Sequence, residues 1–158
     1  MPEFPKPGTV LWGVDIDLAR DVFRSGAATK PNVEYLRFVD IGLDDPPGRI
    51  PNDAGDKYMV SPGQGISLFL ERMIPEGMVT KTREEWKKAG VKDPKKISWW
   101  GVDQGHPVPA GLELVYDGVP PGHCTLSVTR SMTVAAFLAL VSQVPFSTRG
   151  EDFIGPSI

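Results

Sequence analysis

The chain has 158 residues, 41% of them hydrophobic, which predicts a single domain (residues 1–158) able to bury a core without metal or disulfide support. Its formal net charge of -3 argues against broad, sequence-independent attraction to nucleic acid or to an anionic membrane surface, because both depend on a surplus of Lys and Arg. Cys124 is the only cysteine, which excludes an intrachain disulfide and a zinc site built on several thiolates, and favours a reducing compartment.

The N-terminal residues lack the basic start and apolar run of a secretory signal, and no stretch approaches the roughly 20 apolar residues that a bilayer requires. We therefore expect no membrane partner. The protein is expected to be cytoplasmic, or to be delivered into a target cell without a cleavable signal peptide.

The first third of the chain predicts one strand, one short helix and one loop. Residues 9–14 (TVLWGV) are branched and aromatic, as in a buried strand. Residues 16–26 (IDLARDVFRSG) lie beside Asp residues that can serve as N-cap, and their apolar stripe is typical of a helix. Residues 32–43 are too densely apolar to choose between helix and strand, whereas residues 44–56 form a loop by composition.

The middle of the chain predicts short strands around glycine turns and one capped helix. Residues 58–60 (YMV) read as a strand, followed by the glycine-rich turn SPGQG and an apolar run that contains one hydroxyl, Ser67. A capping box predicts a helix over Thr80–Gly90. Residues 97–102 (ISWWGV) predict a strand whose two tryptophans point to opposite faces.

The most regular stretch is Leu112–Pro145. In GHCTLSVTR, apolar residues alternate with a face made of hydroxyls and His123, which is the period of a half-buried strand. A helix follows, with Ser131 or Thr133 as N-cap and with apolar residues at i, i+3, i+4 and i+7: Val134, Phe137, Leu138 and Val141. The remaining residues, 144–158, read as an irregular tail. These elements together predict an α+β fold of four to six short, mainly antiparallel strands with about three helices.

Most familiar catalytic chemistries find no support in the residues. A catalytic metal generally takes three convergent ligands, but the chain has only His106 and His123 and no clustered ligand motif, so we expect no metal. A GxSxG elbow and a Walker loop are also missing from the sequence. Taken alone, His123 is more often a hydrogen-bonded structural histidine than a catalytic one.

Four stretches taken together resemble a known family. They are VLWGV, the glycine turn ending in GISLF, the strand VPAGLELVYDG, and the block GHCTLSVTRSMTVAAFLALV. Their order is similar to that of the ADP-ribosyltransferase-fold toxins typified by the second Tse effector of bacterial type VI secretion. The similarity runs from about Thr9 to Gln143, so it covers a core of about residues 9–143 and leaves out the tail.

The resemblance implies an ADP-ribosyltransferase-like fold and a cytotoxic effector that uses NAD to modify an unknown intracellular target. It also implies a dedicated immunity protein as a partner. Carried over by position, Ser67 and His123 are the expected catalytic residues, with Glu113 as the nearest acid, followed by Asp117. The expected NAD-binding residues are Trp12, Arg49, Gly65 and Thr125.

Two departures keep other interpretations open. Gly13 stands where such transferases often carry an arginine, and the last strand lacks the glutamate that ordinarily stabilises the ribosyl cation. A catalytically degenerate binding protein on the same fold is therefore one alternative. A small nuclease toxin with His123 as general base and Arg130 nearby is another, although the acidic pI speaks against it.

Overall fold

The computed structural model describes residues 4–26, 31, 33–70, 88 and 95–154. Within these residues one α-helix is described over its length, α1 (Val134–Val141); Lys88 is also α-helical, and short 3-10 helices lie at Phe38–Ile41 and Asn52–Ala54. The strands are β1 (Val10–Trp12), β2 (Val22–Gly26), β3 (Met59–Val60), β4 (Ile66–Phe69), β5 (Lys95–Val102), β6 (Leu112–Tyr116), β7 (His123–Val128), β8 (Met132–Thr133) and β9 (Ser147–Ile154).

Seven of these strands form one antiparallel sheet in the order β1-β6-β7-β4-β2-β5-β9. The other two, β3 and β8, pair with each other in a small second sheet. Strands β4 and β7 are neighbours in the middle of the large sheet. The strands that carry Ser67 and His123 therefore lie side by side.

The register of the central strands separates a polar face from an apolar one. Ser67 lies opposite Thr125, and Phe69 lies opposite His123. Directly opposed residues of antiparallel strands point to the same face, so all four side chains project from one side of the sheet. The alternate positions face the core and are fully buried: Leu68, Cys124 and Leu126.

Helix α1 contributes its predicted face to the core. Thr133 is the N-cap, and its hydroxyl accepts a hydrogen bond from the Ala136 N–H at 3.1 Å. The helix buries Val134, Phe137 and Val141, as their spacing predicts. The helix and its cap are thus confirmed. No helix within the described ranges is long and apolar enough to cross a bilayer.

The predicted fold class is wrong. The described residues contain a mostly antiparallel sheet with one α-helix, rather than an α+β arrangement with about three helices. One cause is the segment 16–26, predicted as a helix, whose second half is strand β2. Its backbone pairs with β5 over five residues. Earlier in the segment, Leu18 exchanges hydrogen bonds with the backbone of Gly105 and His106. These distant partners override a local pattern that fits both a helix and a strand.

The C-terminal tail is also different from the prediction. Residues 147–154 are not irregular but form β9, which pairs with β5 at the edge of the sheet. The predicted strands at 9–14, 58–60 and 97–102 are confirmed as β1, β3 and the last six residues of β5. Trp99 is buried and Trp100 is partly exposed, as expected for opposite faces. The predicted helix over Thr80–Gly90 lies outside the described residues, apart from Lys88.

Candidate functional site

A chain of hydrogen bonds crosses the polar face of the central strands. The Ser67 hydroxyl lies 2.8 Å from His123 Nε2. The other ring nitrogen, Nδ1, lies 2.5 Å from an oxygen of Asp117. The second oxygen of that carboxylate accepts a hydrogen bond of 2.7 Å from the Thr125 hydroxyl. Four side chains that are separated by up to 58 positions in the sequence thus form one connected group.

The β6–β7 hairpin positions this group. Strand β6 ends at Tyr116, and the next two backbone N–H groups, of Asp117 and Gly118, both donate to the carbonyl oxygen of His123. The His123 N–H in turn donates to the carbonyl of Pro120. These bonds fix the carboxylate of Asp117 beside the first residue of β7. On the other side, the Phe69 ring contacts the imidazole edge-to-face, with 5.3 Å between ring centroids.

The hydrogen-bond partners of His123 determine which of its ring nitrogens carries a hydrogen. An ionised carboxylate can only accept hydrogen bonds, so the Asp117 contact places a hydrogen on His123 Nδ1. In the neutral imidazole, Nε2 is then an acceptor, and the Ser67 hydroxyl donates to it. This hydrogen bond polarises the O–H bond of Ser67. It can therefore make the hydroxyl a stronger hydrogen-bond acceptor or a nucleophile.

Ser67 and His123 open into a cleft of about 490 Å³. A volume of this size falls within the range of small-molecule binding sites. The cleft contains hydroxyls, an imidazole, two guanidinium groups, one carboxylate and two aromatic rings. Its lining residues are Arg24, Ser25, Tyr35, Arg37, Asp40, Ile66, Ser67, Phe69, Pro120 and His123.

Arg24 holds the cleft together from β2. Its Nη1 donates to the Ser67 carbonyl oxygen at 2.8 Å, and its Nε donates to the Pro31 carbonyl at 3.1 Å. Burial of the guanidinium lowers the pKa of Arg24, because removal from water disfavours the charged form. A partly desolvated positive charge next to Ser67 interacts more strongly with an anion than the same charge would in bulk water.

Arg37 and Asp40 form a second charged element of the cleft. Arg37 Nη2 lies 3.0 Å from Asp40 Oδ1, and the Arg37 backbone N–H donates to Asp40 Oδ2 at 2.8 Å. The Arg37 side chain is 58% exposed and the Asp40 side chain 17% exposed. The pair thus presents an exposed guanidinium that is bound to a mostly buried carboxylate.

The predicted site residues do not all meet in this cleft. Ser67 and His123 are in direct contact, and Thr125 joins them through Asp117. Glu113 does not line the cleft. Glu113 belongs to β6 and lies opposite Ser127 of β7. It precedes Asp117 by four residues, and four residues of a strand span about 13 Å. Asp117, the second choice of acid in the sequence, is the carboxylate that contacts His123.

The other three predicted NAD-binding residues lie outside this group. Trp12 is fully buried, and its indole N–H donates to the His106 carbonyl at 2.7 Å, so the ring belongs to the core and offers no face to a ligand. Arg49 stacks on the Tyr35 ring, 3.8 Å from the centroid, beside a smaller neighbouring cavity. Gly65 precedes β4 and packs against β7, where an added Cβ would lie 2.0 Å from the Leu126 carbonyl oxygen.

Sequence reasoning missed five polar residues of the cleft: Arg24, Ser25, Tyr35, Arg37 and Asp40. Arg24 and Ser25 belong to the segment predicted as a helix, and the other three belong to the segment whose structure the pattern left open. A pair of opposite charges three residues apart, at Arg37 and Asp40, was the available signal. Within the described part of the chain, no three potential ligands converge to hold a metal ion.

Comparisons with protein-family models, with curated proteins and with solved structures find no significant match to this chain. The site must therefore be interpreted from its own geometry.

Proposed function

We propose that this chain is an NAD-dependent ADP-ribosyltransferase that acts as a toxin on an intracellular target. The observation that supports the proposal most directly is the contact between Ser67 and His123, 2.8 Å apart on adjacent central strands, at the opening of a cleft that also holds two arginines. The resemblance of short motifs to those of Tse-type toxins suggests NAD as the ligand. The charged groups and aromatic rings that line the cleft match the phosphate groups and the rings of NAD.

The diphosphate is the most demanding part of NAD to bind, because it carries two negative charges. Arg24 and Arg37 both line the cleft, and guanidinium groups bind phosphate oxygens through paired N–H donors. Together they replace the arginine that is missing at Gly13. Tyr35 and Phe69 supply aromatic surface for the base or the nicotinamide ring.

Ser67 and His123 suit the nicotinamide ribose. The hydroxyl and the imidazole can exchange hydrogen bonds with the ribose hydroxyls, and Asp117 keeps the imidazole in one orientation. Cleavage of the nicotinamide–ribose bond develops positive charge on the sugar, which a nearby carboxylate stabilises. In place of Glu113, which lies away from the cleft, we assign this role to Asp40, because it lines the cleft and is held in place by Arg37.

Toxicity and a neutralising partner belong to the same proposal. Expression of the wild-type chain in an unprotected host is expected to arrest growth, and expression of a Ser67→Ala, His123→Ala double variant is expected to be tolerated. An immunity protein would bind the toxin and block the cleft. The acceptor of ADP-ribose is a protein, a nucleic acid or a small molecule inside the target cell.

The test is nicotinamide release from NAD by the purified protein, measured by chromatography, together with NAD binding by calorimetry. Loss of one ribose hydrogen bond in Ser67→Ala is expected to weaken binding about tenfold, and loss of the imidazole in His123→Ala is expected to slow release by 10²-fold or more. His106→Ala is the matched control, because His106 is the other histidine of the chain and lies outside the cleft. Binding without nicotinamide release would point instead to a non-catalytic binding protein. A folded wild type that does not bind NAD at millimolar concentration would contradict the proposal.

A further inference from the structure

Ser67, His123 and Asp117 have the mutual arrangement of a nucleophile, a general base and the group that orients the base. The serine hydroxyl donates to Nε2, and Nδ1 donates to the carboxylate, at 2.8 Å and 2.5 Å respectively. Both distances are those at which a proton can pass between the groups. The NAD proposal uses Ser67 and His123 to bind ribose and Asp117 to orient the imidazole, so it leaves the transfer of the Ser67 proton to His123 unused.

From this alignment we infer that the cleft also hydrolyses carboxylic esters that carry a negative charge, with Ser67 as the nucleophile. Nucleophile activation requires a hydroxyl, an acceptor nitrogen and a fixed tautomer, and all three are present. The Thr125 hydroxyl donates to Oδ2 of Asp117 at 2.7 Å, so the carboxylate itself is held in position. Because Asp117 acts through His123, it is a positioning residue.

The charges of the cleft define the substrate class. The cleft is lined by two guanidinium groups, of Arg24 and Arg37, and by one carboxylate, of Asp40. The half-buried guanidinium of Arg24 donates to the backbone carbonyl oxygen of Ser67 at 2.8 Å, so a positive charge lies next to the residue that carries the nucleophile. Arg37, which is 58% exposed, is available to attract an anionic group of the substrate. An ester with a carboxylate or phosphate on its leaving group is therefore preferred to a neutral one.

The reaction consumes one water and needs no other co-reactant. Ser67 Oγ attacks the ester carbonyl carbon while its proton moves to His123 Nε2, and the ester C–O bond breaks as the departing oxygen takes that proton. Water then gives a proton to Nε2 and attacks the acyl carbon, the bond to Oγ breaks, and Ser67 recovers the proton. The products are one carboxylic acid and one alcohol.

A fluorophosphonate probe tests the nucleophile on the full chain without NAD. The expected result is a single adduct, located at Ser67 by mass spectrometry. Ser67→Ala should form no adduct, and His106→Ala should form it at the wild-type rate. Asp117→Asn is expected to react 10²- to 10⁴-fold more slowly while its circular dichroism spectrum stays that of the wild type. A folded wild-type protein without an adduct at Ser67 would overturn the inference, as would an Asp117→Asn variant that reacts at the wild-type rate.

A second assay tests the substrate class by comparing the hydrolysis rates of phenyl acetate and its para-carboxylate derivative. The rate of each ester in buffer without protein is subtracted. The charged ester is expected to be hydrolysed at least tenfold faster at low concentration, and Asp117→Asn is expected to lower kcat and to leave KM unchanged. Equal rates for the two esters would overturn the assignment of an anionic substrate. Because NAD is absent from both assays, a failure of NAD binding leaves these outcomes unaffected, and the two proposals can fail separately.

Discussion

Substitution of Gly65 by alanine tests how closely the two central strands approach each other. A Cβ at this position would lie 2.0 Å from the carbonyl oxygen of Leu126, and the backbone φ of +152° is one that residues with side chains rarely adopt. To restore an ordinary contact, β4 and β7 must separate locally by about 1.4 Å. Overpacking of this kind costs about 1–3 kcal/mol, and the unfavourable φ adds about 1–2 kcal/mol.

Gly63→Ala is the matched control, because it lies in the same turn. Gly63 also has a positive φ, +92°, but a Cβ there would meet nothing within 4 Å. We expect Gly63→Ala to lower the free energy of unfolding by about 1–2 kcal/mol and Gly65→Ala to lower it by about 2–5 kcal/mol. In a thermal melt followed by circular dichroism, the larger loss corresponds to a fall in Tm of roughly 5–15 °C.

The same substitution is expected to disturb the site. A separation of about 1.4 Å would break the 2.8 Å contact between Ser67 and His123, so Gly65→Ala should also lose most nicotinamide release and most labelling of Ser67 at temperatures where it is folded. If urea denaturation gave the two glycine variants the same stability to within about 0.5 kcal/mol, the close approach of β4 to β7 would be refuted.

Three further predictions concern the cap of α1, the buried thiol and the support of Asp117. Thr133→Ala removes the N-cap hydrogen bond and is expected to cost about 1 kcal/mol in urea denaturation, whereas Ser131→Ala, the other cap candidate in the sequence, should cost less than half of that. Burial raises the pKa of the Cys124 thiol from 9.0 to about 12, so its contribution to stability is complete below pH 9 and is lost as the pH rises toward 12. Between pH 9 and 12 the free energy of unfolding of wild type should therefore fall by up to about 1.4 kcal/mol per pH unit more than that of Cys124→Ala. Parallel profiles of unfolding free energy against pH would contradict the raised pKa of Cys124. Thr125→Val leaves Asp117 Oδ2 without its donor and should slow the labelling of Ser67 about tenfold, and labelling at the wild-type rate would show that this support is unimportant.

The parts of the fold that could be predicted are those with a strong local pattern. Alternation over His123–Val128 and the capped apolar stripe of α1 each match one kind of element, and both are present in the structure. Strand β9 could not be found in this way, because its first half, STRG, has no apolar alternation and its pairing with β5 is a contact between distant segments. Strand β2 was misassigned because the apolar spacing of Leu18 and Val22 suits a helix as well as a strand.

The candidate site divides in the same way. Ser67 and His123 were identified because a polar face and the order of short motifs pointed to them, and the strand register then places them in contact. The acid was misjudged, because Glu113 lies on the regular strand and Asp117 lies just beyond it. Only the hairpin that follows β6 turns the carboxylate of Asp117 toward His123. Arg24 reaches the cleft from the misassigned strand β2, so no local pattern could have placed it there.

The central claim is that the cleft at Ser67 and His123 binds and cleaves NAD. Nicotinamide release by purified wild type, Ser67→Ala and His106→Ala, measured at an NAD concentration well below the Kd of the wild type, tests this claim most directly. We expect release by wild type and by His106→Ala at equal rates, and release at least tenfold slower by Ser67→Ala. Equal release by all three proteins, or none by a folded wild type that is shown to bind NAD, would contradict the claim.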